Sequence, residues 1–153
     1  MASPAWSVVR QTLTYLNRAA PLLSALELEP DAENDGRLEV HEILQLKLKA
    51  QLVTLSACET ALGSGYFTDV PAGDEFVGLT RAFLSAGARS VVASLWQVDD
   101  RSTMKLMERF YRERASGDGD SASALAKAQR EMSKTGGQYS HPYYWAPFVA
   151  VGN

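Results

Sequence analysis

The sequence predicts an α/β fold built around a mainly parallel sheet. Three observations carry that expectation. Apolar runs of strand length stand at residues 52–57, 90–98 and 143–152, with segments of helical periodicity between them. The run SVVASLWQV (90–98) is too apolar and β-branched for a half-solvated strand and asks for a sheet covered on both faces. From residue 52 onward the order is strand, helix, strand, helix, helix, strand, which is the order of an α/β domain.

Each element has its own signal. LLSALEL (22–28) reads as a short strand, and PDAENDG (30–36) follows it as a turn cluster whose Asp35-Gly36 pair favours tight reversal. RLEVHEILQLKL (37–48) places Leu38, Ile43, Leu46 and Leu48 around one helical face. Leu52 to Ala57 reads as a mostly buried strand, and glycines 63, 65 and 73 bracket a loop, GSGYFTDVPAG. In DEFVGLTRAFLSAG the residues Phe76, Leu79, Thr80, Phe83 and Leu84 form one stripe, with Asp74 placed to cap its start and Gly87 its end. DDRSTMKLMERFYRERASG is the next helix, with Met104, Met107, Phe110 and Tyr111 expected inward. A third helix is expected over 121–134, between SGDGD and TGG. YYWAPFVAVG reads as the last strand, and Pro147 argues for an edge position or a bulge.

Composition excludes several function classes. The 153 residues fit one domain able to bury roughly 70% of its unfolded surface. A formal net charge of −3 gives no electrostatic reason to expect nucleic acid or an acidic membrane as partner. The single cysteine rules out an internal disulfide and suits a reducing compartment. The apolar runs are too short to span a bilayer, and MASPAWSVVRQ lacks the regions of a signal peptide, so the expected location is cytoplasmic. No residue pattern calls for a cofactor or a metal.

That cysteine, Cys58, ends an apolar run in LVTLSACETALGSG and is followed at once by glycines. A lone thiol is most often a packing residue, since free cysteine is among the most buried residue types. At the carboxyl end of a strand beside a glycine-bearing loop, it also suits a nucleophile. The sulfur is then exposed while its backbone is held, and its own N–H can donate to a developing oxyanion. A thiolate nucleophile needs a base or an imidazolium to keep it ionised.

VTLSACETALG, FVGLTRAFLSAGARSVVASLWQVDD and HPYYWAPFVAVG, in that order, resemble the C-terminal half of a CHAT domain, a caspase-like peptidase domain related to separase. The resemblance runs from about Ala20 to Asn153, leaving 1–19 as a divergent segment. It implies a caspase-like three-layer α/β sandwich with a mainly parallel sheet, here expected without its N-terminal strands. It also implies that Cys58 is the nucleophile. Such domains often follow helical tetratricopeptide repeats, so a regulatory partner of that type is expected.

The family's other catalytic group is missing. Its histidine lies in a Thr-His-Gly stretch before a segment like PLLS (21–24), and counting back from Pro21 puts it near Leu13. This chain has Thr12-Leu13-Thr14, so both the imidazole and the following glycine amide are absent. Two histidines stand elsewhere. His41, in EVHEIL, is expected on a solvated or half-buried helix position, and His141, in HPYYWAPF, in a turn before Pro142. A general base contributes about 10² to 10⁴ in rate and an oxyanion donor about 10² to 10³, so little or no proteolysis is expected of the chain alone.

In SLWQVDD the resemblance places Asp100 where a separase-like carboxylate meets a basic P1 side chain, with Asp99 beside it. Either aspartate equally suits the cap of the helix beginning near Arg101. Glu59 and Asp74 read as loop or capping residues, and Trp96 and Trp145 as core. Three functions follow: a remnant or excised portion of a cysteine endopeptidase, a peptide- or protein-binding pseudopeptidase, or an active peptidase whose base comes from His141, His41 or another chain. Residues 5–16 would then either cover an open sheet edge as an amphipathic helix or be unrelated sequence.

Overall fold

A computed structural model of the chain describes residues 14–15, 22, 24–32, 34–55, 74–96, 98–116 and 120–152, the side chains of 14–15 and 74–77 aside. The described strands form two sheets. The first is antiparallel: β1 (Thr14–Tyr15), β2 (Ala25–Glu27) and β3 (Arg37–Glu39), in that order. The second joins β4 (Val53–Leu55), β5 (Ser90–Ser94) and β6 (Phe148–Gly152), with β5 in the middle. Strands β4 and β5 run parallel, pairing Val53 with Val91 and Leu55 with Ala93. Strand β6 turns back antiparallel, pairing Phe148 with Ser94 and Gly152 with Ser90. The α/β class holds, and the expected parallel relation falls on β4 and β5.

The parallel pair requires a crossover, and α2 (Asp74–Ser85) supplies it. Leu79, Thr80 and Phe83 are buried on it, as its stripe predicts, Leu84 is half-buried, and Ala82, outside that stripe, is buried as well. The helix stops at Gly87, whose φ of +109° belongs to glycine and whose missing Cβ would collide with the Leu48 carbonyl. The expected cap by Asp74 and the inward place of Phe76 concern side chains outside the described residues.

All five residues of β5 are buried, which explains its unbroken apolar sequence. Its side chains alternate between two cores. Val91 and Ala93 join Leu55, Leu79, Ala82 and Phe83 on one face, together with Leu26, Val40 and Ile43 from the first sheet and its helix. Val92 joins Leu106, Phe110, Ala124, Leu125, Ala128, Met132 and Phe148 on the other. That second core is roofed by α3 (Asp100–Ser116) and α4 (Ser121–Lys134), the latter over the residues the sequence predicts. Helices therefore cover both faces of the sheet. Ser90 and Ser121, both buried, share a 2.7 Å hydroxyl bond that fixes the start of α4 to β5. Thr54 and Tyr111 share one of 2.9 Å between β4 and α3.

Three expectations change. The segment 37–48 is not one helix: Arg37–Glu39 is β3, paired with β2 through the Asp-Gly turn, and only α1 (Val40–Ile43) is helical. The turn chemistry wins because β3 satisfies its backbone against β2, while Leu46 stays 38% exposed. Met104 does not face inward but is 54% exposed. The buried stripe of α3 is Ser102, Leu106 and Phe110, with Met107 and Tyr111 on its flank, and position 104 lies off that face. The last apolar run is strand only from Phe148, because Pro142–Tyr144 form a 3₁₀ turn ahead of buried Pro147. In the described sheet β6 is the edge strand that Pro147 suggested.

Candidate functional site

The strand directions bring three segments to one edge of the second sheet. Leu55 and Ser94 end β4 and β5 there, and Phe148, paired with Ser94, begins β6 beside them. The chain leaving Leu55 reaches Cys58 three residues on, and the chain leaving Ser94 reaches Asp99 and Asp100. The chain entering Phe148 comes from His141. Carboxyl edges of open α/β sheets are where ligands bind, because loops diverge there and leave a crevice. Cys58, Glu59, Leu13 and the loop 63–73 lie outside the described residues.

Asp99 caps α3: its Oδ1 accepts the Ser102 N–H at 3.1 Å, and its carbonyl accepts the Ser102 hydroxyl at 2.8 Å and the Thr103 N–H at 3.0 Å. Asp100 is the first residue of the helix, and both aspartates are exposed. Of the two roles weighed for this pair, capping falls to Asp99.

The approach to β6 is an arch over residues 138–147, stitched almost entirely by bonds to its backbone carbonyls. The indole Nε1–H of Trp145 donates to the Ser140 carbonyl at 3.0 Å. The Nε1–H of Trp96, two residues beyond β5, donates to the Tyr143 carbonyl at 3.1 Å. The Leu95 N–H donates to the Pro147 carbonyl at 3.0 Å. From α4, the amide Nε2 of Gln129 donates to the carbonyls of Trp145 at 3.0 Å and Phe148 at 2.8 Å. Rings line the arch: Tyr139 meets Tyr144 and Tyr144 meets Tyr143 edge-on at 5.4 Å, and Trp96 lies 6.4 Å from Tyr143. Trp145 packs against the second core as predicted, but Trp96 belongs to neither core and is half-buried at the edge.

The two histidines differ chemically. His141 is exposed, and its Nδ1 accepts the Tyr143 N–H at 3.2 Å. A neutral imidazole has one acceptor nitrogen, so this bond uses the lone pair a base would need and leaves the proton on Nε2. His41 is on α1, at the end of the first sheet and not on any of the three converging segments. Its Nδ1 stands 3.1 Å from Glu39 Oε2, so it donates to that carboxylate and keeps Nε2 as an acceptor.

Sequence reasoning passed over Gln129 and assigned Trp96 to the core. Gln129 reaches carbonyls 16 and 19 residues away, and no local pattern announces such a bond. Among the described residues no cluster of three or more histidine, cysteine or acidic side chains is arranged to hold a metal ion. No described helix is long and apolar enough to cross a membrane.

With that geometry in place, comparison with known proteins identifies the class. The chain belongs to the CHAT domain family, whose pattern matches residues 11–153; this is a caspase-like family. The chain is similar to Tetratricopeptide repeat protein 28 of Mus musculus, 34% identical over 116 residues, which covers 76% of this chain and 4% of that protein. It is similar also to Tetratricopeptide repeat protein 28 of Homo sapiens, 32% identical over 116 residues, again 76% of this chain and 4% of that protein. The chain therefore spans a small part of the relatives it matches. They carry in their names the kind of repeat that the family resemblance brought with it.

Proposed function

We propose that the chain is a peptide-recognising CHAT module whose cleft runs along the carboxyl edge of the second sheet. Cys58 is its thiol nucleophile by family position, and no base of its own completes a peptidase. The observation that carries this reading is the convergence, at one edge, of the segments that lead to Cys58, to Asp99 and Asp100, and from His141. Leu13 stands where the family places its imidazole, and the acceptor nitrogen of His141 is spent on the Tyr143 amide. A few per cent of an unassisted thiol is ionised at neutral pH, enough for alkylation and not for efficient peptide hydrolysis.

In this reading Asp100 faces the basic side chain of the bound peptide while Asp99 holds the helix start. The partner is a protein or peptide with an exposed basic residue, in a reducing compartment such as the cytoplasm, and tetratricopeptide-type repeats are the regulatory neighbours. A second reading rests on one specific observation. The carboxylate-oriented His41 has a nitrogen able to take a proton, which would make the chain an active cysteine endopeptidase if the Cys58 loop comes to it.

One experiment separates the two. The chain is incubated with an acetyl-tetrapeptide arginine aminocoumarin amide and, in parallel, with an arginyl chloromethyl ketone that alkylates thiols. Alkylation at Cys58 without release of aminocoumarin is expected. Turnover lost in both Cys58→Ala and His41→Ala would replace the first reading with the second.

A further inference from the structure

We infer that Gln129 is a positioning residue of the peptide cleft: its side-chain amide fixes the arch over 138–147 and, through it, the Tyr143–Trp96 contact at the sheet edge. The inference rests on the cleft reading above. It begins with an accounting of backbone donors. Pro147 has no N–H to return the bond that its carbonyl accepts from Leu95, so the β5–β6 ladder stops there and the neighbouring carbonyls of the chain entering β6 take donors from outside it. The carbonyls that bracket Ala146 and Pro147 belong to Trp145 and Phe148, and both receive the Gln129 Nε2, at 3.0 and 2.8 Å.

A primary amide suits this place because it offers two N–H groups in one plane, one for each carbonyl. A carboxylate there would oppose both oxygens, and a thioether would donate to neither. Gln129 is half-buried on α4, whose buried Ala124, Leu125, Ala128 and Met132 seat it against the second core. The anchor is therefore part of the rigid layer and not of the arch it holds.

From this anchor the hold passes outward. Trp145, with its carbonyl tied to Gln129, closes the inner turn by donating its indole N–H to Ser140. Between those two bonds lie the 3₁₀ turn of Pro142–Tyr144 and His141, which caps it through the Tyr143 N–H. The Tyr143 carbonyl then receives the indole N–H of Trp96 on the exit of the central strand. Releasing Gln129 frees the carbonyl end of this chain, so the Trp96 and Trp145 indoles lose fixed partners. Misplacing a positioned group by about 1 Å costs on the order of 10² in rate.

The test uses Gln129→Met, of similar length without donors, and Gln129→Glu, whose carboxyl regains one donor when protonated. Two readouts are taken on the full chain. The first is the pair of indole Nε1–H resonances of Trp96 and Trp145, assigned with single Trp→Phe variants. The second is the ratio of Cys58 alkylation rates by arginyl chloromethyl ketone and by iodoacetamide, which divides out the intrinsic reactivity of the thiol. Both resonances are expected to shift in Gln129→Met, with a fall of about 10- to 100-fold in the ratio. Acidification of Gln129→Glu is expected to move the resonances back toward wild type. Unshifted indole resonances in a folded Gln129→Met would overturn the inference, as would an unchanged ratio. If Gln129→Met fails to fold, the acid-dependent return in Gln129→Glu decides, and its absence overturns the inference. A wild-type ratio no higher than that of a free-cysteine peptide would instead overturn the cleft reading, with the resonances still judging the hold on the arch.

Discussion

The indole Nε1–H of Trp96 lies 3.1 Å from the carbonyl oxygen of Tyr143, a bond that spans 47 residues of sequence. It ties the exit of the central strand to the approach of the last one. Replacing Trp96 by phenylalanine keeps a ring and removes the donor. A loss of about 0.5 to 1.5 kcal/mol in unfolding free energy is expected, read as a lower denaturant midpoint at unchanged slope. A midpoint equal to wild type would mean that the two segments hold without this bond.

The two faces of α3 predict opposite responses to substitution. Phe110 is 0% exposed at the centre of the second core, so Phe110→Ala is expected to cost about 3 to 5 kcal/mol. Met104 is 54% exposed, and Met104→Glu is expected to stay within about 0.5 kcal/mol of wild type. Thermal or denaturant unfolding of both variants checks the rotation of the helix. A costly Met104→Glu would restore the inward face that the sequence suggested.

Asp120 gives a pH dependence with a defined sign. It caps α4, accepting the N–H groups of Ala122 at 3.1 Å and Ser123 at 3.0 Å. The Ser123 side chain first, and then these backbone bonds, hold its carboxyl below the ordinary 3.8. A carboxyl depressed in the folded state adds stability that is present above the unfolded value and disappears as pH falls through the folded one. Asp120→Asn keeps an acceptor and loses the charge. Its deficit relative to wild type is expected to be constant above about pH 5 and to close below 3.8. Parallel melts from pH 7 to pH 2 measure this, and a deficit independent of pH would contradict it.

What could be read from the sequence is what has a short period or a local rule. The stripe of α2, the bounds of α4 and the two-faced burial of β5 each follow from residues within a few positions of one another. The RLEVHEILQLKL segment misled because its leucines recur at nearly helical spacing. The Asp35-Gly36 turn and the pairing of Arg37–Glu39 with β2 then decided the backbone. Met104 misled for a similar reason, since a methionine beside a buried stripe looks inward until the stripe is fixed by its neighbours. At the candidate site, the aspartate pair could be read as cap or pocket, and the bond from Ser102 assigns the cap to Asp99. Gln129 left no trace in the sequence, because its bonds run from α4 to the arch at Trp145 and to the start of β6 at Phe148, far along the chain.

The central claim is that Cys58 carries the family's thiol with no proton acceptor matched to it. The most direct measurement is the pH profile of Cys58 alkylation by iodoacetamide, with Cys58→Ala as the blank. An unassisted thiol ionises near pH 8.5, whereas one paired with an imidazole ionises at about 3.5 to 7.5. The rate is expected to be small at pH 6 and to rise through about pH 8.5. A rate already level by pH 6, and lost in His41→Ala or His141→Ala, would contradict the claim and show a working dyad.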